Sequence, residues 1–192
     1  MTQRKRDTSL GEGVYYASED YIGLSRRALI LVVDFVVLYA IYYGSAYLCI
    51  VMTNDLTHTY FLYYYLFVWF YLTILKASKL RTVGYWLANA RIVNLRGKRP
   101  SVFRMTYRTM FWVLGPFNYF FDLMWSATDD DRQTMRDRFA GTCVVKNNAE
   151  PMGTAEIHMT YYSAVGYNLM YPRVMRLESG DTKTTPEESK TS

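Results

Sequence analysis

Three carboxylates stand where a carboxylate has to do something. Asp34 is the only ionisable group, tyrosines aside, in the apolar run ALILVVDFVVLYAIYYGSAYLCIVM at residues 28–52, and Asp122 lies in the aromatic stretch YFFDLMW. Asp137 is set between two arginines in RQTMRDRFAGTCVV. An unpaired charge in hydrocarbon is costly, so such groups mark ion pathways, proton relays or ion pairs. Arg27 precedes Asp34 by seven positions, which puts both on nearly one helix face but about 10.5 Å apart. Each therefore needs a partner from elsewhere: lipid phosphate for Arg27, reached by snorkelling, and one of Arg81, Arg91 and Arg108 for Asp34. Asp34 reads as an ion or proton site, or as an ion pair that sets helix register. Asp122 is either a carboxylate reaching interfacial water or, on a half-helix, a second ligand of an intramembrane ion site shared with Asp34. Asp137 reads as the cap or clamp of a turn, or as the partner of a basic residue in 76–108.

The elements that must carry these residues are apolar helices. Residues 28–52 give about 37 Å of helix, enough to cross a bilayer with some tilt. The run is too long and starts too far along the chain for a cleaved signal peptide. Residues 56–75, centred on YFLYYYLFVWFYLTIL, form the second span; Tyr63, Tyr64, Tyr65 and Trp69 read as interfacial or helix-packing aromatics. A third stretch, 110–127, contains Gly115-Pro116, which breaks or kinks a helix. Either it crosses once and leaves the C-terminus outside, or it dips in and returns; Arg132, Arg136, Arg138 and Lys146 after it favour the return. The expected fold is thus an all-α membrane protein, a small transmembrane bundle of two full spans plus a kinked or re-entrant third. Short β-prone runs at 90–95 and 141–146 are expected to pair on the cytoplasmic side. The expected divisions are a cytoplasmic arm (1–20), a membrane domain (21–146), a Tyr-rich surface extension (147–177) that alternates like a hairpin around Gly166, and a disordered tail (178–192).

Charge fixes the orientation. The net charge of +5 is modest, but its distribution is not: 76–108 holds Lys76, Lys79, Arg81, Arg91, Arg96, Lys98, Arg99, Arg104 and Arg108 and no acidic residue, whereas 53–59 has no Lys or Arg. By the positive-inside rule the N-terminus and 76–108 are cytoplasmic and 53–59 faces out; the membrane is expected to be the plasma (inner) membrane. Of these residues Arg81, Arg91, Arg96, Lys98, Arg99, Arg104 and Arg108 form a basic membrane-surface segment whose partner is anionic lipid head groups rather than nucleic acid. Hydrophobic residues make up 51% of the chain, with 19 Tyr and 10 Phe. The mean hydropathy of -0.09 is pulled down by tyrosines and charged linkers.

At this point the motifs, in their order, resemble a known family. RRALILVVDF supplies Arg27 and Asp34, TVGYWLANARIVN supplies a Thr-x-Gly stretch leading into an Arg-bearing strand, GKRPSVFRMTYR supplies a Gly-x-x-Pro-Ser turn with a basic helix, and RQTMRDRFAGTCVV supplies Asp137. This is similar to the RDD family of integral membrane proteins, named for an Arg and an Asp in the first span and a second Asp near the domain's end. The likeness covers about residues 21–146. The chain departs from it at Tyr85 and Trp86, where a basic residue is common, and at Arg136, where His is common. The resemblance implies Arg27, Asp34 and Asp137 as the functional positions; for some members cation or proton exchange has been proposed, while others look like components of larger assemblies.

Several classes are disfavoured. GxSxG, GxxxxGK[ST] and HExxH are absent, so no enzyme is expected, and no cofactor. Asp129–Asp131 match no metal loop, and His58 and His158 lack clustered partners, so no metal is expected. Cys49 and Cys143 read as buried free thiols. Two expectations remain: transport of cations, protons or a small solute by an oligomer, or a non-catalytic membrane scaffold that binds a copy of itself or another membrane protein.

Overall fold

A computed structural model describes residues 9–53, 58–110, 122, 124–126, 132–164 and 167–175. The Gly115-Pro116 break, Asp129–Asp131, the 54–57 part of the inter-span loop, the side chain of His58 and the 178–192 tail lie outside them. The described residues run β1 (Glu12–Tyr15), α1 (Leu24–Thr53), α2 (His58–Phe70) with a π-helical turn (Tyr71–Leu75), α3 (Val83–Leu87), β2 (Ala90–Asn94), α4 (Val102–Met110), α5 (Met135–Ala140), β3 (Thr142–Lys146), β4 (Gly153–Ala164) and β5 (Tyr167–Val174).

Among the described residues, α1 is the one helix long and apolar enough to cross a membrane, with 17% of its most apolar window buried. It is apolar all round, as a helix solvated by lipid must be. Only a stripe at helical spacing is covered: Arg27, Ile30, Asp34, Leu38 and Ala46. Phe35, Val36 and Tyr47 on other faces are exposed. The second apolar helix, Thr59–Leu75, is shorter. It runs antiparallel to α1 and is fastened to it by tyrosines: Tyr60 Oη donates to the Tyr42 carbonyl (2.8 Å) and Tyr64 Oη to the Leu38 carbonyl (3.1 Å). Tyr64 thus packs between helices, while Tyr63 and Tyr65 are exposed.

The expected β pairing exists, antiparallel from Ala90↔Lys146 to Asn94↔Thr142. Its side chains alternate with a period of two. Ala90, Ile92 and Val144 join Ile22, Ile30, Tyr85, Ala88 and Met105 in one core, whereas Val93, Cys143 and Val145 join Tyr16, Tyr21 and Ala149 in a second. A two-stranded ribbon buried on both faces is thus the seam between the helices and the N-terminal segment.

An all-α description needs correction, because a three-stranded sheet of order β1-β4-β5 stands beside this ribbon. The Tyr-rich hairpin pairs from Ile157↔Val174 to Ala164↔Tyr167, and β4 also takes β1 from the N-terminal arm, Glu12↔Glu156 to Tyr15↔Gly153. The arm and the extension are therefore partners in one sheet. Several polar contacts gather at the end of α1 where that helix begins: Ile22 N–H donates to the Val144 carbonyl there. Arg108 near the end of α4 and Asp137 in α5 meet at this end too (2.7 Å). The two readings of residues 110–127, a single crossing or a return, fall mostly on residues outside those described.

Candidate functional site

Asp137 is fully buried and lies between two guanidinium groups. Arg27 Nη1 reaches its Oδ2 at 2.8 Å and Arg108 Nη2 its Oδ1 at 2.7 Å. The backbone holds the carboxylate in place. Thr134 is the N-cap of α5, its hydroxyl accepting from Asp137 N–H while the Asp137 carboxylate accepts from Thr134 N–H, a capping box. Gly141, in the left-handed region at φ 60°, closes the helix one turn later. Arg27 spends every nitrogen: Nε on the Ile22 carbonyl (3.1 Å), Nη1 on Asp137 and Nη2 on the Arg132 carbonyl (2.7 Å). The expected lipid phosphate is corrected to a carboxylate 110 residues away. Burial pushes the Asp137 carboxyl up, but Arg108 and Arg27, with Arg136 behind them, outweigh it and hold it well below the usual carboxylate range.

Asp34 sits about two turns further along the same stripe of α1, in a niche of donors. Its Oδ1 accepts from Tyr71 Oη (3.1 Å) and Gly84 N–H (2.9 Å); its Oδ2 accepts from Thr82 Oγ1 (2.8 Å) and lies 3.6 Å from Lys76 Nζ. The expected arginine partner is corrected: Arg108 serves Asp137, Arg91 donates to the Ala149 carbonyl (2.6 Å) and Arg81 to the Ala90 carbonyl (3.3 Å). The π-turn explains how Tyr71 and Lys76 both arrive. Residues five apart are about 140° apart around an α-helix, but i→i+5 bonding closes one wide turn between them and brings both to one side. Gly84 explains how α3 arrives. A Cβ there would stand 2.6 Å from the Ile30 carbonyl oxygen and 2.8 Å from Asp34 Oδ1, so only glycine admits this approach.

Asp122 does not share a contact with Asp34; its partner is Arg136, Nε to Oδ2 at 2.8 Å, with Arg136 N–H on Oδ1 at 3.3 Å. The basic segment is divided in use. Lys98 and Arg99 are exposed, Arg96 and Arg104 reach the Leu10 and Gly141 carbonyls, and Arg108 is buried, so it belongs to the interior and not to the surface. Among the described residues no three His, Cys, Asp or Glu side chains group to hold a metal ion.

The RDD family model matches residues 21–141. The chain belongs to the RDD family. No curated protein and no solved structure matches it. In this RDD protein the motif's Arg and first Asp do not meet. Arg27 pairs with the second Asp, Asp137, across the domain, and Asp34 pairs with Lys76 beside the Thr-x-Gly turn. Sequence reasoning had the motif positions and the Thr-x-Gly stretch, but not Tyr71, Lys76 or the use of Thr82 and Gly84 on Asp34. A signal for Lys76 was there, as the first charge after the second apolar run. None was available for Tyr71, one tyrosine among many.

Two outcomes follow from this geometry. Gly84→Ala in the detergent-solubilised protein is expected to lower the thermal unfolding midpoint by several degrees, and more than Asp34→Asn does, since it moves a helix rather than weakening one acceptor. Asp137 contributes stability that is full above the unfolded carboxyl pKa of about 3.9 and falls away as pH drops below it. Asp137→Asn is expected to cost about 3–5 kcal/mol at neutral pH, by leaving two buried guanidinium groups short of their counter-charge. It should also flatten the acid limb of an unfolding-versus-pH curve.

Proposed function

We propose that this RDD protein is a non-catalytic membrane assembly partner: an integral membrane protein whose polar end faces the cytoplasm and whose helices dock a second copy or another membrane protein. One observation carries this reading. The two oxygens of Asp34 already face four donors, from Tyr71, Thr82, Gly84 and Lys76, and a carboxylate offers about four lone-pair sites in all. A cation needs some of those electrons, and in this arrangement they are spent. The charged residues then act as a lock that holds two apolar helices upright on a polar base. The α1–α2 pair supports a docking role, since it leaves an open groove of about 490 Å³ whose walls include Phe35, Tyr39, Tyr43, Tyr65 and Trp69. Aromatic walls suit helix packing, where contact area and hydroxyl hydrogen bonds supply the attraction. Exposed Lys98 and Arg99 suit anionic head groups and a cytoplasmic location for this end.

A second reading, passage of protons or cations through an oligomer, is favoured by a different observation. A small cavity of about 20 Å³ is lined by Asp34, Lys76, Arg27, Arg136 and Tyr85, room for about one water beside an ionisable pair. Proteoliposomes separate the two. The assembly reading predicts no cation or proton flux above that of protein-free vesicles, and a mass in mild detergent greater than one chain plus its micelle. Flux that disappears in Asp34→Asn would establish the transport reading in its place.

A further inference from the structure

Among the described residues, the buried charges of this protein do not balance. Four cations, Arg27, Lys76, Arg108 and Arg136, are buried or nearly so together with three carboxylates, Asp34, Asp122 and Asp137. Among the described residues that leaves one positive charge over. Removing charges from water is costly unless each finds its counter-charge, so a surplus inside is a demand for a ligand or for the loss of a proton.

The surplus has a location. A second small cavity, distinct from the one at Asp34, is lined by Lys76, Arg108 and Arg136 together with Leu72, Met105 and Thr109. Three of the four cations thus border one space, and none of the three carboxylates does. Its volume of about 10 Å³ is about what one water, or one monatomic ion of similar size, requires. Arg108 supplies an independent sign of a missing partner. Its side chain is 5% exposed, its Nη2 is committed to Asp137, and its Nη1 is buried with no hydrogen-bond partner. A buried guanidinium N–H without an acceptor is uncommon in a folded protein and calls for a water or an anion beside it.

We propose that this cavity is a binding site for one small monovalent anion of halide size, held by Arg108, Lys76 and Arg136. One negative charge there cancels the excess among the described residues and offers an acceptor to Arg108 Nη1. Size argues for a monatomic ion over a whole phosphate or carboxylate, since the space admits one heavy atom with Leu72 and Met105 closing the apolar wall. The site is separate from the docking surfaces and stands whether or not the assembly reading does. It makes the interior lock depend on an anion from the solvent.

The test uses the full chain purified in an uncharged detergent in sodium gluconate, then titrated with chloride or bromide at constant ionic strength. Expected are a saturable rise in the thermal unfolding midpoint with either halide, and broadening of the ³⁵Cl resonance that bromide reverses by competition. Lys76→Met brings the count to three cations and three carboxylates, so it is expected to lose the halide dependence; it should fold, because Asp34 keeps Tyr71, Thr82 and Gly84. The resonance measurement on the unaltered protein stands alone should that variant fail to fold. Equal midpoints in gluconate and chloride with no reversible broadening would overturn the proposal, and so would stabilisation produced by anionic phospholipid but not by halide. The first of those outcomes would mean that the surplus is removed by discharge of Lys76, the second that a lipid phosphate oxygen occupies the cavity.

Discussion

A carboxylate in a dry interior must be surrounded by positive charge or give up its own, and Asp137 is surrounded. Its two oxygens face Arg27 from the start of α1 and Arg108 from the end of α4, at 2.8 and 2.7 Å, while its own backbone starts α5 through the Thr134 capping box. Three segments far apart in sequence are thereby fixed at one point. Charge-assisted hydrogen bonds of this geometry are about twice as strong as neutral ones, yet their main effect is on specificity. No arrangement that separates α1 from α4 and α5 can leave those charges satisfied. The β2–β3 ribbon, buried on both faces beside this clamp, then supplies the apolar burial that charges alone do not.

The parts of this fold legible in the sequence are those written in local pattern. The apolar length of α1 and the period-two run TCVVK opposite ARIVN both need only neighbouring residues to be read, and both are present. The family resemblance was equally legible, since the order of Arg27, Asp34, the Thr-x-Gly turn and Asp137 survives in one chain, and the family model matches residues 21–141. What escaped is long-range. Helix geometry correctly kept Arg27 and Asp34 apart, but nothing local says that Arg27 waits for residue 137 or that Asp34 is served by residues 71, 76, 82 and 84. The pairing of β1 with β4 was hidden in the same way, because the strand at residues 12–15 has four residues and no alternation strong enough to announce itself.

The two sites divide the labour of the network. At Asp137 charge joins helix to base, and at Asp34 it joins helix to helix through the π-turn and the glycine approach of α3. Asp122 and Arg136 continue the chain of pairs, and Arg138 extends it with Nη1 2.8 Å from Tyr171 Oη in β5. Buried polar pairs thus occur from the apolar helices to the C-terminal sheet. Burial of so many charges in so small a domain supports a role for them as structure, with the exposed aromatic faces of α1 and α2 left to meet lipid or a partner.

The Arg27–Asp137 pair holds α1 to its base, and a double-mutant cycle measures that directly. Unfolding free energies of the parent, Arg27→Met, Asp137→Leu and the double variant give the coupling between the two positions. A coupling of about 1–3 kcal/mol is expected, with the double variant less damaged than the sum of the single changes. Additivity to within about 0.5 kcal/mol would show that the two side chains do not depend on each other, and would contradict the account.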